Sequence, residues 1–226
     1  MKKIYIIIII ILLLIILLLL YPKKNNLKIT YQDNFAKMNT INKTNRTKIN
    51  IYIPITKYQK LNHEIKKTVD NYLDEFNKES LDSPPTIDTY NTLYILYDEY
   101  YYKEYISIVL YIEKFTGGAH PNHTIKTIIY NKETNNFITI DNLIKDNPNI
   151  LSNLSTISRE TLLNNPKFKD NLVKDMLYTG TSPNKENFTN IAYTPNGLNV
   201  YFDYYQIAPY YYGYSEILIP YDKLNL

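Results

Sequence analysis

Residues 4–20 form an unbroken apolar run whose one partly polar member is Tyr5. Lys2 and Lys3 precede it, and Tyr21, Pro22, Lys23 and Lys24 follow. As an α-helix at about 1.5 Å per residue the run reaches about 25 Å, enough to cross the hydrocarbon core of a bilayer. Pro22 would end that helix, and the flanking lysines and tyrosines suit the headgroup layer. A cleavable signal peptide needs a shorter apolar core and a small-residue cleavage site. No Ala, Gly or Ser occurs before Ala36, and no Cys is present to accept a lipid. Residues 1–22 are therefore expected to remain as a single-pass anchor in the cell membrane, with lipid around residues 4–21. The lysines nearly balance across the run, and the long segment that follows favours an extracytoplasmic placement for the rest of the chain.

Beyond that anchor, the 226-residue chain, with 45% hydrophobic content, is long enough to bury one core. The absence of cysteine excludes a disulfide framework, thiolate metal sites and a cysteine nucleophile. Basic residues number 25 and acidic residues 22, and two of the basic ones belong to the anchor. The remainder is close to neutral, its only arginines are Arg46 and Arg159, and its lysines are scattered. Without a clustered basic stripe to neutralise phosphates, nucleic acid is not an expected partner.

Residues 23–45 are polar and Asn-rich and read as a stalk, with a short strand at Leu27, Ile29 and Tyr31. Ile49, Ile51, Ile53 and Ile55 alternate with Asn50, Tyr52 and Pro54, the period of a half-buried strand. Tyr58, Leu61, Ile65, Val69, Tyr72, Leu73 and Phe76 then recur three and four apart, which predicts a helix. This strand and helix make up a segment over residues 46–85. In residues 86–226, strands are expected over 89–97 and 105–115, joined by an acidic and aromatic turn over 98–104. Further strands are expected over 124–130 and 137–140, followed by helices over 141–145, from 147 to 162 and from 166 to 177. Strands return over 188–193, 198–202 and 216–220, with Asn196-Gly197 as a hairpin turn. Runs of strands and runs of helices predict an α+β fold, a mainly antiparallel sheet with helices packed on one face.

Two local patterns invite a functional reading. His120 and His123 are three apart with Glu113 nearby in sequence. Because His120 precedes Pro121 and is biased to extended backbone, a helical metal-binding face is not expected. Gly117 and Gly118 can shape a tight bend that His120 fixes by a hydrogen bond, or the loop can contact a ligand directly. Tyrosine clusters at Tyr97, Tyr100, Tyr101, Tyr102 and Tyr105, and again at Tyr201, Tyr204, Tyr205, Tyr210, Tyr211, Tyr212 and Tyr214. A flat apolar ring with a hydroxyl suits stacking on sugars or anchoring a protein partner; strand propensity supplies tyrosine too. No Ser-His-Asp pattern, glycine-rich phosphate loop or zinc-protease motif is present. No catalytic residue, metal ligand or cofactor is therefore expected, and the chain reads as a non-enzyme.

Gly117-Gly118-Ala119-His120-Pro121-Asn122 lies between two predicted strands. Gly197-Leu198, Tyr201-Phe202, Tyr204, Ile207-Ala208-Pro209-Tyr210, Gly213 and Ile219-Pro220-Tyr221 close the chain. Together they resemble the C-terminal domain of the RsiV-type lysozyme-sensing anti-sigma factors, a module also found in PdaC-type peptidoglycan deacetylases. Residues 49–80 resemble the PdaC/SigV-like domain that precedes it, so the likeness covers about residues 45–226. Only Met1 to Lys3 precede the apolar run and the chain ends at Leu226, so the resemblance implies the binding module without a sigma-binding segment or a metal-dependent deacetylase domain. Gln206 departs from the family pattern, in which an acidic residue is expected.

The reading that results is a membrane-anchored extracytoplasmic binding module for a cell-envelope ligand, either a lysozyme-like protein or peptidoglycan glycan. Its ligand-binding residues are expected to be Gly117, Gly118, His120, Tyr204, Tyr210, Tyr211 and Tyr212. The alternatives are an enzyme that modifies cell-wall glycan and a purely structural envelope protein. The anchor predicts that the chain stays in the membrane pellet of its host after alkaline carbonate extraction. A soluble product whose first residue lies past Lys24 would refute it.

Overall fold

A computed structural model describes residues 29–32, 35–43, 45–86, 89–168 and 173–226. The apolar run and the anchor read from it lie outside these residues. Among the described residues no helix is long and apolar enough to cross a membrane.

The segment read as a stalk supplies two strands, Ile29–Gln32 (β1) and Phe35–Asn42 (β2), which pair antiparallel at one edge of a large sheet. The strand Thr47–Pro54 (β3) follows antiparallel to β2, and its alternation buries Ile49 and Ile51. The helix Gln59–Asp82 (α1) then buries the predicted stripe of Leu61, Ile65, Val69, Leu73 and Phe76. It carries the chain across the sheet, so the next strand, Asn91–Tyr102 (β4), lies parallel to β3, with Ile49 opposite Leu93. A parallel neighbour requires a crossover of this length. Strands Tyr105–Phe115 (β5), Asn122–Asn131 (β6) and Asn136–Ile138 (β7) complete a seven-stranded sheet in chain order, antiparallel after β4.

The expected turn over residues 98–104 is mostly strand. β4 runs on to Tyr102, and Lys103 and Glu104 alone turn the chain, with Lys103 at φ 48°. Tyr97, Tyr100, Tyr101 and Tyr102 favour extended backbone, and Asp98 and Glu99 between them are exposed.

The helices do not all pack on one face of the large sheet. α1 packs on one face of the large sheet, against Leu93, Ile95, Ile106, Ile108, Leu110 and Ile112. Part of the other face is covered by a second, three-stranded antiparallel sheet of Ile191–Thr194 (β8), Gly197–Phe202 (β9) and Ser215–Ile219 (β10), in the order β10-β9-β8. Ala192 and Tyr201 from this sheet pack on Val109 and Ile125 of β5 and β6. The helices Ile140–Asp146 (α2) and Ile150–Leu163 (α3) lie on its outer side, where Leu143, Leu154 and Leu162 meet Leu198, Val200, Phe202 and Ile217. Two shorter helices, Lys174–Gly180 (α4) and Tyr221–Leu224 (α5), add Leu177 and Leu224 to the same core. Helices on a single face would leave Val109 bare; β5 is apolar on both sides and takes cover on both.

β8 is the edge of the small sheet, and an edge strand presents unpaired N–H groups. Two of them are met across the layer boundary. The N–H of Tyr193 donates to Ser107 Oγ at 2.9 Å, and that of Ile191 to Thr127 Oγ1 at 3.2 Å. Ser107, fully buried between Ile106 and Ile108, is explained by this bond. Ser107→Ala should therefore cost about 1–3 kcal/mol in denaturant unfolding, because a buried donor loses its acceptor. The exposed Leu81→Ala should stay within about 0.5 kcal/mol.

Candidate functional site

The β5–β6 connection and the β9–β10 connection meet beside the open half of the large sheet. Gly117 and Gly118 turn the first with φ values of 109° and 100°, which L side chains adopt only with strain. Both are exposed, with open space where a Cβ would stand. The turn delivers His120 and His123 to two tyrosines of the second connection. The His120 ring stacks on Tyr210 at 3.7 Å and 20°, and the His123 ring on Tyr204 at 4.4 Å and 11°. Tyr204 and Tyr210 are themselves 5.0 Å apart, so the four rings form one block.

Polar contacts fix the tautomer of His120. Its Nδ1 lies 2.9 Å from the Pro121 carbonyl, which can only accept, so Nδ1 carries a proton, and Nε2 lies 3.2 Å from the Tyr205 hydroxyl. The Tyr210 hydroxyl donates to the same carbonyl at 3.0 Å. His123 Nδ1 lies 3.8 Å from Glu113 Oε2, its register partner across β5 and β6. Burial lowers the proton affinity of His123, Glu113 opposes that and His120 adds to it, with a net downward shift. A neutral imidazole beside a carboxylate is a competent proton acceptor. The Tyr204 hydroxyl is held above its ordinary range by burial first, then by Tyr210, Tyr214 and Glu113, so it stays a donor.

Beside the block is a depression of about 140 Å³ whose lining includes Tyr94, Leu96, Tyr111, Glu113, His123, Tyr204 and Tyr214. The Tyr111 hydroxyl donates to Asp98 Oδ2 at 2.9 Å, and the Tyr214 ring stands 5.6 Å from that of Tyr111. A shallower depression continues past Tyr204 and Tyr214 toward Lys167 and Glu216. Burial and then Asp98 raise the Glu216 carboxyl. Among the described residues no group of three or more acidic, His or Cys side chains is placed to hold a metal ion.

The loop that carries Tyr204 and Tyr210 is held at its root. Asp203 Oδ1 accepts the Ile125 N–H at 2.6 Å, tying the end of β9 to β6, and the Asp203 N–H donates to Gln206 Oε1 at 3.0 Å. Gln206 Nε2 donates to the carbonyls of Gly180 and Asn187 at 3.1 and 3.0 Å. A carboxylate there would face two acceptors, which accounts for an amide where an acidic residue was expected. Gly180 is required by this approach, since a Cβ would fall 2.0 Å from the Gln206 carbonyl oxygen.

Of the residues singled out by sequence, His120, Tyr204 and Tyr210 come together, with Gly117 and Gly118 in the adjoining turn. Tyr212 instead packs toward the α2–α3 core, 5.2 Å from Phe168, and Tyr211 lies over Tyr212 at 4.2 Å with 67% of its surface exposed. The first tyrosine cluster does not join the site. Tyr97 packs on the α1 side, while Tyr102 stacks on Tyr221 at 4.6 Å and Tyr105 on Tyr193 at 4.1 Å at the opposite end of β5. Sequence reasoning missed Glu113, His123, Tyr111 and Tyr214 as members. The His120–His123 spacing with Glu113 nearby and the second tyrosine cluster drew attention to His123, Glu113 and Tyr214 without assigning them to the ligand-binding set, while Tyr111 had only its place in the strand alternation.

Residues 141–222 match a family model described as a protein of unknown function, DUF3298. The chain is 33% identical over 169 residues to the peptidoglycan-N-acetylmuramic acid deacetylase PdaC of Bacillus subtilis (strain 168). The alignment takes in 74% of this chain and 36% of that protein, so the chain spans about a third of the relative's length. Among solved structures, a DUF3298 family protein from Pseudomonas aeruginosa PAO1 superposes with a TM-score of 0.61 at 17% identity, over 89% of this chain and 94% of that one. A DUF3298 family member from Bacteroides fragilis gives 0.56 at 16% identity with the same coverage. At these identities the likeness is one of fold. The matches support a PdaC-like domain in the chain and an α+β fold with a mainly antiparallel sheet. The expectation of a non-enzyme is overturned, because the relative that matches most of this chain is named for an enzymatic activity.

Burial raises the Asp203 carboxyl, against the Ile125 N–H and Lys126, which lower it. A raised folded-state value means that stability falls as pH rises from the ordinary carboxylate value through the raised one. Asp203→Asn keeps an acceptor for Ile125 and should abolish that loss. Asp203→Ala should cost about 1–3 kcal/mol at neutral pH by stranding the Ile125 N–H. Urea titrations of both chains between pH 4 and 8 check this.

Proposed function

We propose that this chain works at the bacterial cell wall and that the block of His120, His123, Tyr204 and Tyr210, with the depression beside it, binds the glycan of peptidoglycan. The anchor at residues 1–22 would hold the folded part on the extracytoplasmic side, next to that polymer. The observation that carries the reading is the pair of stacked His–Tyr couples, of which His123–Tyr204 lines the cleft together with Glu113. Flat rings receive the C–H face of a pyranose, and the polar groups beside them exchange hydrogen bonds with its hydroxyl and acetamido groups. The name of the matching relative, a peptidoglycan deacetylase, points to the same polymer. His123, neutral and paired with Glu113, would accept a proton next to a bound sugar. The likeness to the RsiV-type module supports a second reading, capture of a lysozyme-like protein, and the exposed ring of Tyr211 favours it.

The full chain in detergent should pellet with purified peptidoglycan. Tyr204→Ala and Tyr210→Ala should each weaken that binding about tenfold, a loss of about 1.4 kcal/mol, while Tyr211→Ala leaves it unchanged. Binding should be level above pH 6.5 and decline below it as His123 takes up a proton, a step that His123→Gln removes. Retention of lysozyme lost on Tyr211→Ala, without peptidoglycan binding, would favour the second reading.

A further inference from the structure

Among the described residues, nothing covers the half of the large sheet that adjoins the cleft. Strand register sorts its side chains into two rows. Asn50, Tyr94 and Glu113 are successive partners across β3, β4 and β5, and lead to His123 on β6. Leu96 and Tyr111 are partners in the adjacent row, which Tyr52 extends one residue past the Ile51–Ile95 pair. On a strand whose other face buries Leu93 and Ile95 completely, Leu96 is 55% exposed. The side-chain oxygen of Asn50 is enclosed with no hydrogen-bond partner among the described residues, an acceptor left unmet at the β3 end of its row. Lys37, whose ammonium lies 5.1 Å from the Tyr52 ring centroid, closes the far edge, and within the rows only neutral groups separate it from Glu113.

We infer that this open face continues the aromatic cleft and seats a neutral β-1,4-linked glycan of several N-acetylated sugars lying across β3 to β6. The inference rests on the glycan reading of the cleft. Adjacent strands are about 4.8 Å apart, close to the rise of one sugar in such a chain, so the four strands match about four rings. Tyr52 and Tyr111, two strands apart in one row, and Tyr94 on the strand between them in the other row offer stacking faces, and Leu96 offers apolar contact to an acetamido methyl. Rotation of the Asn50 amide turns its unmet oxygen toward a sugar N–H or O–H. An uncharged centre disfavours a polyanion, which would seek clustered lysines. Continuity with the His123–Tyr204 stack sets where such a chain ends.

The test measures binding of N-acetylglucosamine oligomers, dimer to hexamer, to the full chain by calorimetry. Affinity should rise about tenfold from dimer to tetramer and then level off. Tyr52→Ala, outside the cleft lining, should reduce the rise and leave the dimer within about twofold. Asn50→Ala, likewise outside the cleft lining and with a side-chain oxygen that no described residue bonds, should do the same should Tyr52→Ala fail to fold. Tyr204→Ala should weaken every length. Equal affinity for dimer and tetramer, or a rise that neither change reduces, overturns the extended site and leaves the cleft reading standing. No binding of any oligomer overturns both.

Discussion

Two-sided burial of β5 is the constraint from which the other layers follow. Ile106, Ile108, Leu110 and Ile112 fill one side, while Val109 with Ser107 faces the other, all nearly or completely buried. A strand of this kind is stable only between two covers. On the first side α1 serves, and its length is what makes β3 and β4 parallel neighbours. On the second side a small sheet serves, and its edge strand needs acceptors where β-pairing ends. Ser107 and Thr127 provide them. The hydroxyls in this apolar layer set the register of one sheet on the other, which dispersion alone would leave free to slide.

How much of this could be read beforehand depended on the range of each contact. The alternation of Ile49, Ile51 and Ile53 and the stripe from Leu61 to Phe76 are local, and the structure bears out both. The parallel pairing of β3 and β4 was hidden, because a helix between two strands is equally compatible with strands of either sense. Tyr97 to Tyr102 read as a turn since acidic residues interrupt them, although their β propensity extended the strand. The small sheet's position could not be read at all, since Ala192 and Tyr201 meet Val109 and Ile125 only through the fold.

The site shows the same division. His120, Tyr204 and Tyr210 stood out as unusual residues in glycine-flanked or tyrosine-rich stretches, and they do converge. Tyr212 stood out for the same reason and belongs to the core, because composition does not reveal which way a ring turns. Glu113 and His123 drew notice only through the spacing of the two histidines, and strand register is what makes them a pair. Gln206 looked like a departure from a pattern, but its amide answers two carbonyls brought near by Gly180. The supporting residues of the cleft are thus spread over β6, α4 and the β9 end, none of which carries a recognisable motif.

The two walls of the cleft belong to different sheets: His123 and Glu113 ride on the large one, Tyr204 and Tyr214 on the loop that leaves the small one. They act as the jaws of a vice whose screw is the packing of β8 on β4, β5 and β6. Whatever is gripped between them adds its binding free energy to the adhesion of the two layers. Occupancy and mechanical cohesion are therefore one quantity in this molecule: a loosened interlayer seam blunts the grip, and a filled grip clamps the seam.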